Sequence, residues 1–139
     1  MVRYWKIIGS VAFGGILVYS VGLTTLYHLS LRSSIPILSQ VELESKLTEE
    51  AENMELDAST ISARLGTWCR ERQACVKKVG ERYEITLEFD RNTAALRHEL
   101  AHIALGHLES VGPNVILNRL RNLLYEPSAD LYAVLGIRF

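Results

Sequence analysis

Cysteine, proline and clusters of basic residues are scarce in this chain, which has 2 cysteines and 3 prolines among its 139 residues. The two cysteines, Cys69 and Cys75, are too few for a structural zinc knuckle, and they do not form a C-x-x-C pair. All 16 acidic residues but only 12 of the 15 Lys and Arg residues follow residue 35. No internal repeat or low-complexity tract is present. These absences argue against a nucleic-acid partner and against a basic patch that binds anionic lipid.

Charged residues are also absent from Ile7 to Tyr27, a run of 21 positions. A helix of that length spans a hydrocarbon core of about 30 Å. Tyr4 and Trp5 at one end of the run and Tyr27 at the other fit an aromatic belt. No clean A-x-A cleavage site follows the run. We therefore expect an uncleaved membrane anchor, with a cleaved signal peptide as the alternative.

Basic groups are distributed unequally around this run. Arg3, Lys6 and the terminal amine precede it, whereas Arg32 and one histidine follow it. This excess favours a cytoplasmic N-terminus, with the rest of the chain outside the cytoplasm. The cysteines favour the same orientation, because Cys69 and Cys75 can face each other across a tight hairpin and would form a disulfide in an oxidising compartment. We expect a single-pass membrane protein with an extracytoplasmic C-terminal domain.

The remaining residues are enough for one small domain. We expect residues 1–35 to form the anchor and a short linker, and residues 36–139 to form an α+β domain. Apolar spacing predicts helices over 41–55 and 115–125 and strands over 60–65, 75–79 and 82–89, which together suggest a short antiparallel sheet followed by C-terminal helices. Gly80 lies in the turn between the last two strands. Another helix should begin near Asp90 or Asn92, both good N-caps.

The motif H-E-L-A-H at residues 98–102 lies within this last helix. It places His98 and His102 one turn apart on one helix face, where both can bind a single zinc ion. Glu99 flanks that face and can reach a metal-bound water as general base. The alternative is an ordinary polar helix face. However, Leu96 and Leu100 give the helix an apolar stripe that should pack in a core. Two histidines without hydrogen-bond or metal partners would destabilise the fold there.

A zinc site needs a third protein ligand. His107 would lie on the opposite side of a regular helix from the two histidines, so we interpret it as a capping residue or a partner of a ligand rather than as a ligand. Glu126 and Asp130 are spaced to share a helix face within apolar sequence. One of them can bind zinc while the other accepts the free N–H of a ligating histidine. The alternative is an ordinary exposed acidic pair.

Taken together, H-E-L-A-H-I-A-L-G-H at residues 98–107 and E-P-S-A-D-L-Y-A-V-L at residues 126–135 resemble the motifs of the short gluzincins, most of all the ImmA/IrrE-type metallopeptidases. The resemblance covers residues 40–139 and implies a zincin-like domain. It also implies that His98, His102 and Glu126 are the zinc ligands. Glu99 would be the catalytic base, and Asp130 would be an orienting residue. The chain departs from the pattern at Pro127. Because proline disfavours helical geometry at the residue before it, we expect Glu126 at a helix start or on a kink.

The motifs predict a membrane-anchored zinc metallopeptidase that cleaves a peptide or protein substrate. Tyr83, Tyr125 and Tyr132 are candidates for an additional oxyanion donor. In gluzincin-like sites the strand before the metal helix often forms the cleft edge that pairs with an extended substrate. Residues 82–89 therefore form either that edge or only a sheet strand beneath the helix.

Two other interpretations stay open at this point. One is a catalytically inactive, zinc-binding membrane adaptor or inhibitor, although such a protein would not need Glu99. The other keeps the peptidase but places its domain in the cytoplasm, where it would cut a regulator protein at the membrane.

Overall fold

The described part of the chain forms three helices and a three-stranded sheet, which confirms the α+β class. The computed structural model describes residues 21, 22, 25, 28, 34–67, 69, 74–88, 92–109 and 115–135, with side chains omitted for 115–123. The helices are α1 (Gln40–Asn53), α2 (Thr93–Ala104) and α3 (Val115–Leu135). The strands are β1 (Ile61–Leu65), β2 (Ala74–Val79) and β3 (Arg82–Leu87), and a 3₁₀ turn, Ala58–Thr60, precedes β1.

The predicted membrane anchor, Ile7 to Tyr27, lies outside the described residues except for Val21, Gly22 and Thr25, which are helical. Among the helices that the structure does describe, none combines the length and the apolar character needed to cross a bilayer. The anchor and its orientation therefore remain predictions from the sequence.

The sheet is mixed, with the strand order β1-β3-β2. β2 and β3 form the predicted antiparallel hairpin, and Gly80 supplies the positive φ of 63° at its turn. The prediction of a wholly antiparallel sheet is wrong, because β1 runs parallel to β3. The physical reason is that β1 and β2 are not neighbours. The connection between them carries the chain to the far side of β3, and the hairpin then returns β3 alongside β1 in the same direction.

Helix α1 covers the β1 side of the domain. Its N-cap is Ser39, whose hydroxyl accepts a hydrogen bond from the Glu42 N–H at 3.2 Å, and its apolar face buries Leu43, Leu47 and Ala51. These bounds agree with the predicted helix within two residues, because the apolar spacing that predicted it is also the spacing that packs.

The outer edge of β1 is covered by a side chain of α1. The Gln40 amide donates to the Ala63 carbonyl at 2.8 Å and accepts from the Leu65 N–H at 3.1 Å. The side chain thus makes the two hydrogen bonds that a neighbouring strand would make at this position. Covering an edge in this way protects it from pairing with another chain.

Helix α2, which carries the H-E-L-A-H motif, packs on the sheet. It begins after Asn92, one of the two predicted caps, whose side chain accepts from the Ala95 N–H at 2.9 Å. Leu96 and Leu100 are fully buried against the core that contains Ile85 and Leu87. The motif's two histidines therefore occupy the opposite, partly exposed face of the helix.

An ion pair joins α2 to α1. The Arg97 guanidinium donates to both oxygens of Glu50, at 2.6 and 2.8 Å, and the Glu50 side chain is only 4 % exposed. Because a bidentate contact of this kind has a defined geometry, it fixes α2 against α1 at the residue that directly precedes His98.

Helix α3 continues through Pro127 and ends at Leu135, so the predicted end at Tyr125 and the alternative of a helix start at Glu126 are wrong. Proline removes one backbone hydrogen bond from a helix interior. Packing offsets this local cost, since Ala129 and Tyr132 on the same helix are buried in the core. The continuous helix holds Glu126 and Asp130 on one face, as their spacing predicted.

Candidate metal site

Helices α2 and α3 bring His98, His102 and Glu126 together into a group that could hold a metal ion. The Nε2 atoms of the two histidines are 3.1 Å apart. The Oε2 atom of Glu126 lies 3.2 Å from the Nε2 of His98 and 3.6 Å from the Nε2 of His102. Two successive helices thus place three potential ligand atoms within 3.6 Å of one another.

The spacing of these atoms fits a tetrahedral ion. Three ligands bound at about 2.0–2.1 Å to one zinc ion lie about 3.3–3.4 Å from one another. The three observed separations fall on either side of this value. The donor set of two imidazoles and one carboxylate is also typical of a zinc site that keeps an open position. The Glu126 side chain is 43 % exposed, so the group can be reached from solvent at this residue.

Asp130 contacts the other ring nitrogen of the first histidine. Its Oδ1 lies 2.8 Å from the Nδ1 of His98. A carboxylate at this distance accepts a hydrogen bond from the Nδ1–H of His98, and the Nε2 atom of that ring then faces the ligand group. The two carboxylates therefore have different contacts. Asp130 lies against the Nδ1 of His98, whereas Glu126 lies close to the Nε2 atoms of both histidines.

Without a metal, the contacts around His98 favour a protonated imidazole at the centre of this group. Burial alone would lower the pKa of His98, but hydrogen bonds to Asp130 and Glu126 outweigh it and raise that pKa to about 10. Contacts with His102 and His98 hold the pKa of Glu126 well below its ordinary value. His98 therefore carries protons on both nitrogens at neutral pH, and its Nε2–H lies between the acceptors that a cation would bind.

His107 lies beside this group and not within it. Helix α2 ends at Ala104, and Gly106 adopts a positive φ of 67° that turns the chain back. The Nδ1 atom of His107 then lies 2.8 Å from the Nδ1 of His102. Burial and the nearby His102 lower the pKa of His107 to about 4, so its ring is neutral. The structure thus places His107 against His102, one of the two motif histidines, and whether His107 supports a metal ligand stays a prediction.

Two residues of α3 contact the His107 ring, an arrangement that was not predicted from the sequence. The Tyr125 ring stacks on the His107 ring with a centroid distance of 4.0 Å and an interplanar angle of 3°. Ser128 places its Oγ 3.3 Å from the Nε2 of His107. The only available signal was the position of Ser128 between Glu126 and Asp130, and a serine in a polar motif is too common to indicate a role.

Glu99, the predicted general base, is buried on α2 with 7 % of its surface exposed. Its negative charge contributes to the raised pKa of His98, so the carboxylate lies near the ligand group.

The three candidate tyrosines differ in their surroundings. The Tyr83 hydroxyl donates to Glu109 at 2.7 Å, and Lys78 binds the same carboxylate at 2.6 Å. Tyr125 stacks on His107, and Tyr132 is buried in the core. Tyr125 thus contacts a neighbour of His102, and Tyr83 belongs to a contact between the sheet and the segment after α2.

Cys69 and Cys75 are joined by a disulfide, the pairing that the sequence predicted. The bond links the β1–β2 connection to the start of β2, where Cys75 pairs with Thr86 of β3. The Cys69 N–H also donates to Glu88. The disulfide therefore joins Cys69 to the start of β2.

Comparisons with known proteins do not extend the resemblance beyond its two motifs. No protein-family model matches the chain, and no curated protein or solved structure matches it either.

Proposed function

We propose that the chain is a zinc-dependent metallopeptidase, with His98, His102 and Glu126 as the zinc ligands. The observation that supports this most is the separation of 3.1–3.6 Å among the three ligand atoms. Two imidazoles and a carboxylate at this spacing suit zinc better than calcium or magnesium, which prefer sets of oxygen ligands.

The chemistry follows from the residues around the ligands. A bound zinc ion supplies a Lewis acid that polarises a carbonyl and lowers the pKa of water towards neutrality. The Glu99 carboxylate accepts a proton from the attacking water and delivers it to the nitrogen of the leaving amine. Asp130 keeps the Nδ1–H proton of His98 in place, so that its Nε2 remains directed at the ligand group.

The proposed substrate is an extended peptide segment. β3 is paired on both sides, by β1 and β2, so of the two alternatives for this strand the open edge for substrate is excluded and the sheet strand remains. The outer edge of β1 is covered by Gln40. β2 is the other edge strand of the sheet and packs against α2. We therefore assign substrate pairing to β2, because an extended chain adds to a sheet through an edge strand.

We further propose that this domain works outside the cytoplasm, attached to the membrane by the apolar run Ile7 to Tyr27. The basic excess before the run and the disulfide between Cys69 and Cys75 support this location independently. A reporter fused after Phe139 should be active only if it functions outside the cytoplasm. A reporter active in the cytoplasm, together with free thiols, would favour a cytoplasmic peptidase and leave the zinc proposal unaffected.

The peptidase proposal is tested by Glu99→Gln in the purified full chain. This variant should keep one zinc per chain and its fold but lose hydrolysis of unstructured peptides, because it removes the base and no ligand. Glu49→Gln on α1, an exposed glutamate, is the matched control and should retain activity. Unchanged hydrolysis in the Glu99 variant would contradict the mechanism. A wild-type chain that binds zinc but cleaves no peptide would favour the inactive adaptor or inhibitor.

A further inference from the structure

His107 is a buried histidine that contacts His102, one of the proposed zinc ligands. Its Nδ1 atom is 2.8 Å from the Nδ1 of His102, and its Nε2 atom is 3.3 Å from the Oγ of Ser128. Both ring nitrogens are therefore engaged, one on α2 and the other on α3. The direction of these hydrogen bonds decides which nitrogen of His102 is available to a metal.

The direction is set at Ser128. Its hydroxyl donates to the Tyr125 carbonyl at 3.0 Å. Because a hydroxyl has a single proton, the Oγ atom can only accept from His107. His107 therefore carries its proton on Nε2, and in a neutral ring the Nδ1 atom is then an acceptor.

His102 must then donate. Two ring nitrogens 2.8 Å apart share one proton, and the His107 nitrogen is the acceptor. His102 thus carries its proton on Nδ1 and presents the lone pair of Nε2 to His98 and Glu126. The opposite arrangement would put a proton on the Nε2 of His102, and that atom could not bind a metal.

We propose that His107, oriented by Ser128, is a positioning residue that fixes His102 in the form that binds metal through Nε2. This inference rests on the proposed zinc site and adds a partner for its second histidine. His98 is oriented by a carboxylate, Asp130, and His102 by a neutral imidazole. The two ligands of one motif are therefore held by different chemistry from different segments.

The segment that carries His107 is held at both ends, so its position is well defined. The His107 N–H donates to the His102 carbonyl at 3.0 Å, directly after the turn at Gly106. Further along, the Glu109 carboxylate binds Lys78 and Tyr83 on the sheet. This second contact offers a control, because it can be removed without changing an acceptor for His102.

The test compares zinc affinity, measured by competition with a chelator, in four versions of the full chain. His107→Leu removes the acceptor and should weaken zinc binding about 10–100-fold, the usual effect of losing the partner of a ligating histidine. His107→Asn places a carbonyl oxygen where Nδ1 stood and should restore most of the affinity. Glu109→Gln should bind like the wild type. The absorption spectrum of the cobalt-loaded chain should change in His107→Leu and not in His107→Asn.

Three results would overturn the inference. Wild-type affinity in a folded His107→Leu chain would show that His102 needs no partner. Equal losses in the Asn and Leu variants would assign the effect to stacking on Tyr125, and an equal loss in Glu109→Gln would assign it to the segment as a whole. If His107→Leu does not fold, Ser128→Ala replaces it, with weaker zinc binding supporting the inference and unchanged binding overturning it. A wild-type chain that binds no zinc would instead contradict the proposed function.

Discussion

The sheet, covered by α1 and α2, and the C-terminal helix α3 are held in the protein by different means. Leu43, Ile85, Leu87 and Leu100 are completely buried in the sheet layer. α3 packs mainly on α2, and it adds Ala129 and Tyr132 to the core. Its contact with α2 also includes the polar groups of the ligand site, Glu126 and Asp130 beside His98.

This difference indicates where a metal would contribute to stability. Buried apolar area stabilises the sheet layer without any ligand. At the α2–α3 contact, Glu126 and the two histidines converge at 3.1–3.6 Å, and only a proton or a cation between them makes that arrangement favourable. We therefore expect zinc to stabilise the position of α3 much more than that of the sheet.

The largest effect should follow loss of a ligand. His98→Ala or His102→Ala should abolish stable zinc binding, and Glu126→Ala should weaken it sharply, because each removes one of three protein ligands. In the zinc-loaded wild type, amide hydrogen exchange should be slow in both layers. In the His98 and His102 variants it should become fast in Val115–Leu135 while β3 stays protected.

Two outcomes would break this comparison. Equal protection of α3 with and without zinc would show that the apolar contact alone holds the helix. Normal zinc content in Glu126→Ala would move the third ligand elsewhere, with His107 the next residue to test.

A second, smaller effect concerns the core that both layers share. Leu100 is completely buried on α2, on the side facing the sheet. Leu100→Ala should lower the free energy of unfolding by about 2–5 kcal/mol, through lost transfer energy and the cavity left behind. Urea denaturation in the presence of a chelator measures this without the metal. A loss below about 1 kcal/mol would mean that α2 is not held by the sheet layer.

The third effect is a dependence of zinc affinity on pH. His98 has a pKa raised to about 10 in the metal-free site, so zinc must displace a proton at any lower pH. Affinity should therefore rise about tenfold for each pH unit between pH 6.5 and 8, as expected when one proton is released. Calorimetry in buffers of different ionisation enthalpy counts that proton.

In the metal-free chain, the same raised pKa of His98 predicts that the stability of the fold decreases as the pH rises, whereas zinc affinity increases. A histidine whose pKa is raised on folding stabilises the fold fully below its unfolded pKa of about 6.5. That stabilisation is lost as the pH rises towards about 10. A zinc affinity that is constant across pH 6.5–8 would contradict the proposed proton in the ligand group.

The smallest effect lies in the sheet layer alone. Ser39→Ala removes the N-cap of α1 and should lower the free energy of unfolding by about 1 kcal/mol. Zinc affinity should not change, since α1 contributes no ligand. A parallel loss of zinc affinity would show that the two layers are not separate in the way proposed here.

The local elements could be predicted from the sequence, whereas long-range pairing could not. The apolar spacing of α1 and the β2–β3 hairpin around Gly80 are short-range patterns, and the structure has both. The parallel pairing of β1 with β3 depends on which side of the sheet the intervening connection reaches, which no local pattern records. The continuation of α3 through Pro127 depends on burial of residues further along the helix.

The candidate site shows the same division. The i, i+4 spacings were enough to predict that His98 and His102 share a face, and likewise Glu126 and Asp130. The partner of His102 was hidden for a geometric reason. Extending a regular helix places His107 on the wrong side, whereas the real helix ends at Ala104 and Gly106 turns the chain back towards His102.

The central claim is that α2 and α3 bind one zinc ion through two histidines and one glutamate. X-ray absorption spectroscopy at the zinc edge, on the full chain loaded with one equivalent of zinc, tests it most directly. A site of this composition should give only nitrogen and oxygen neighbours at about 2.0–2.1 Å, with the outer-shell scattering of two imidazoles. Scattering from three imidazoles, or a sulfur neighbour at about 2.3 Å, would contradict it.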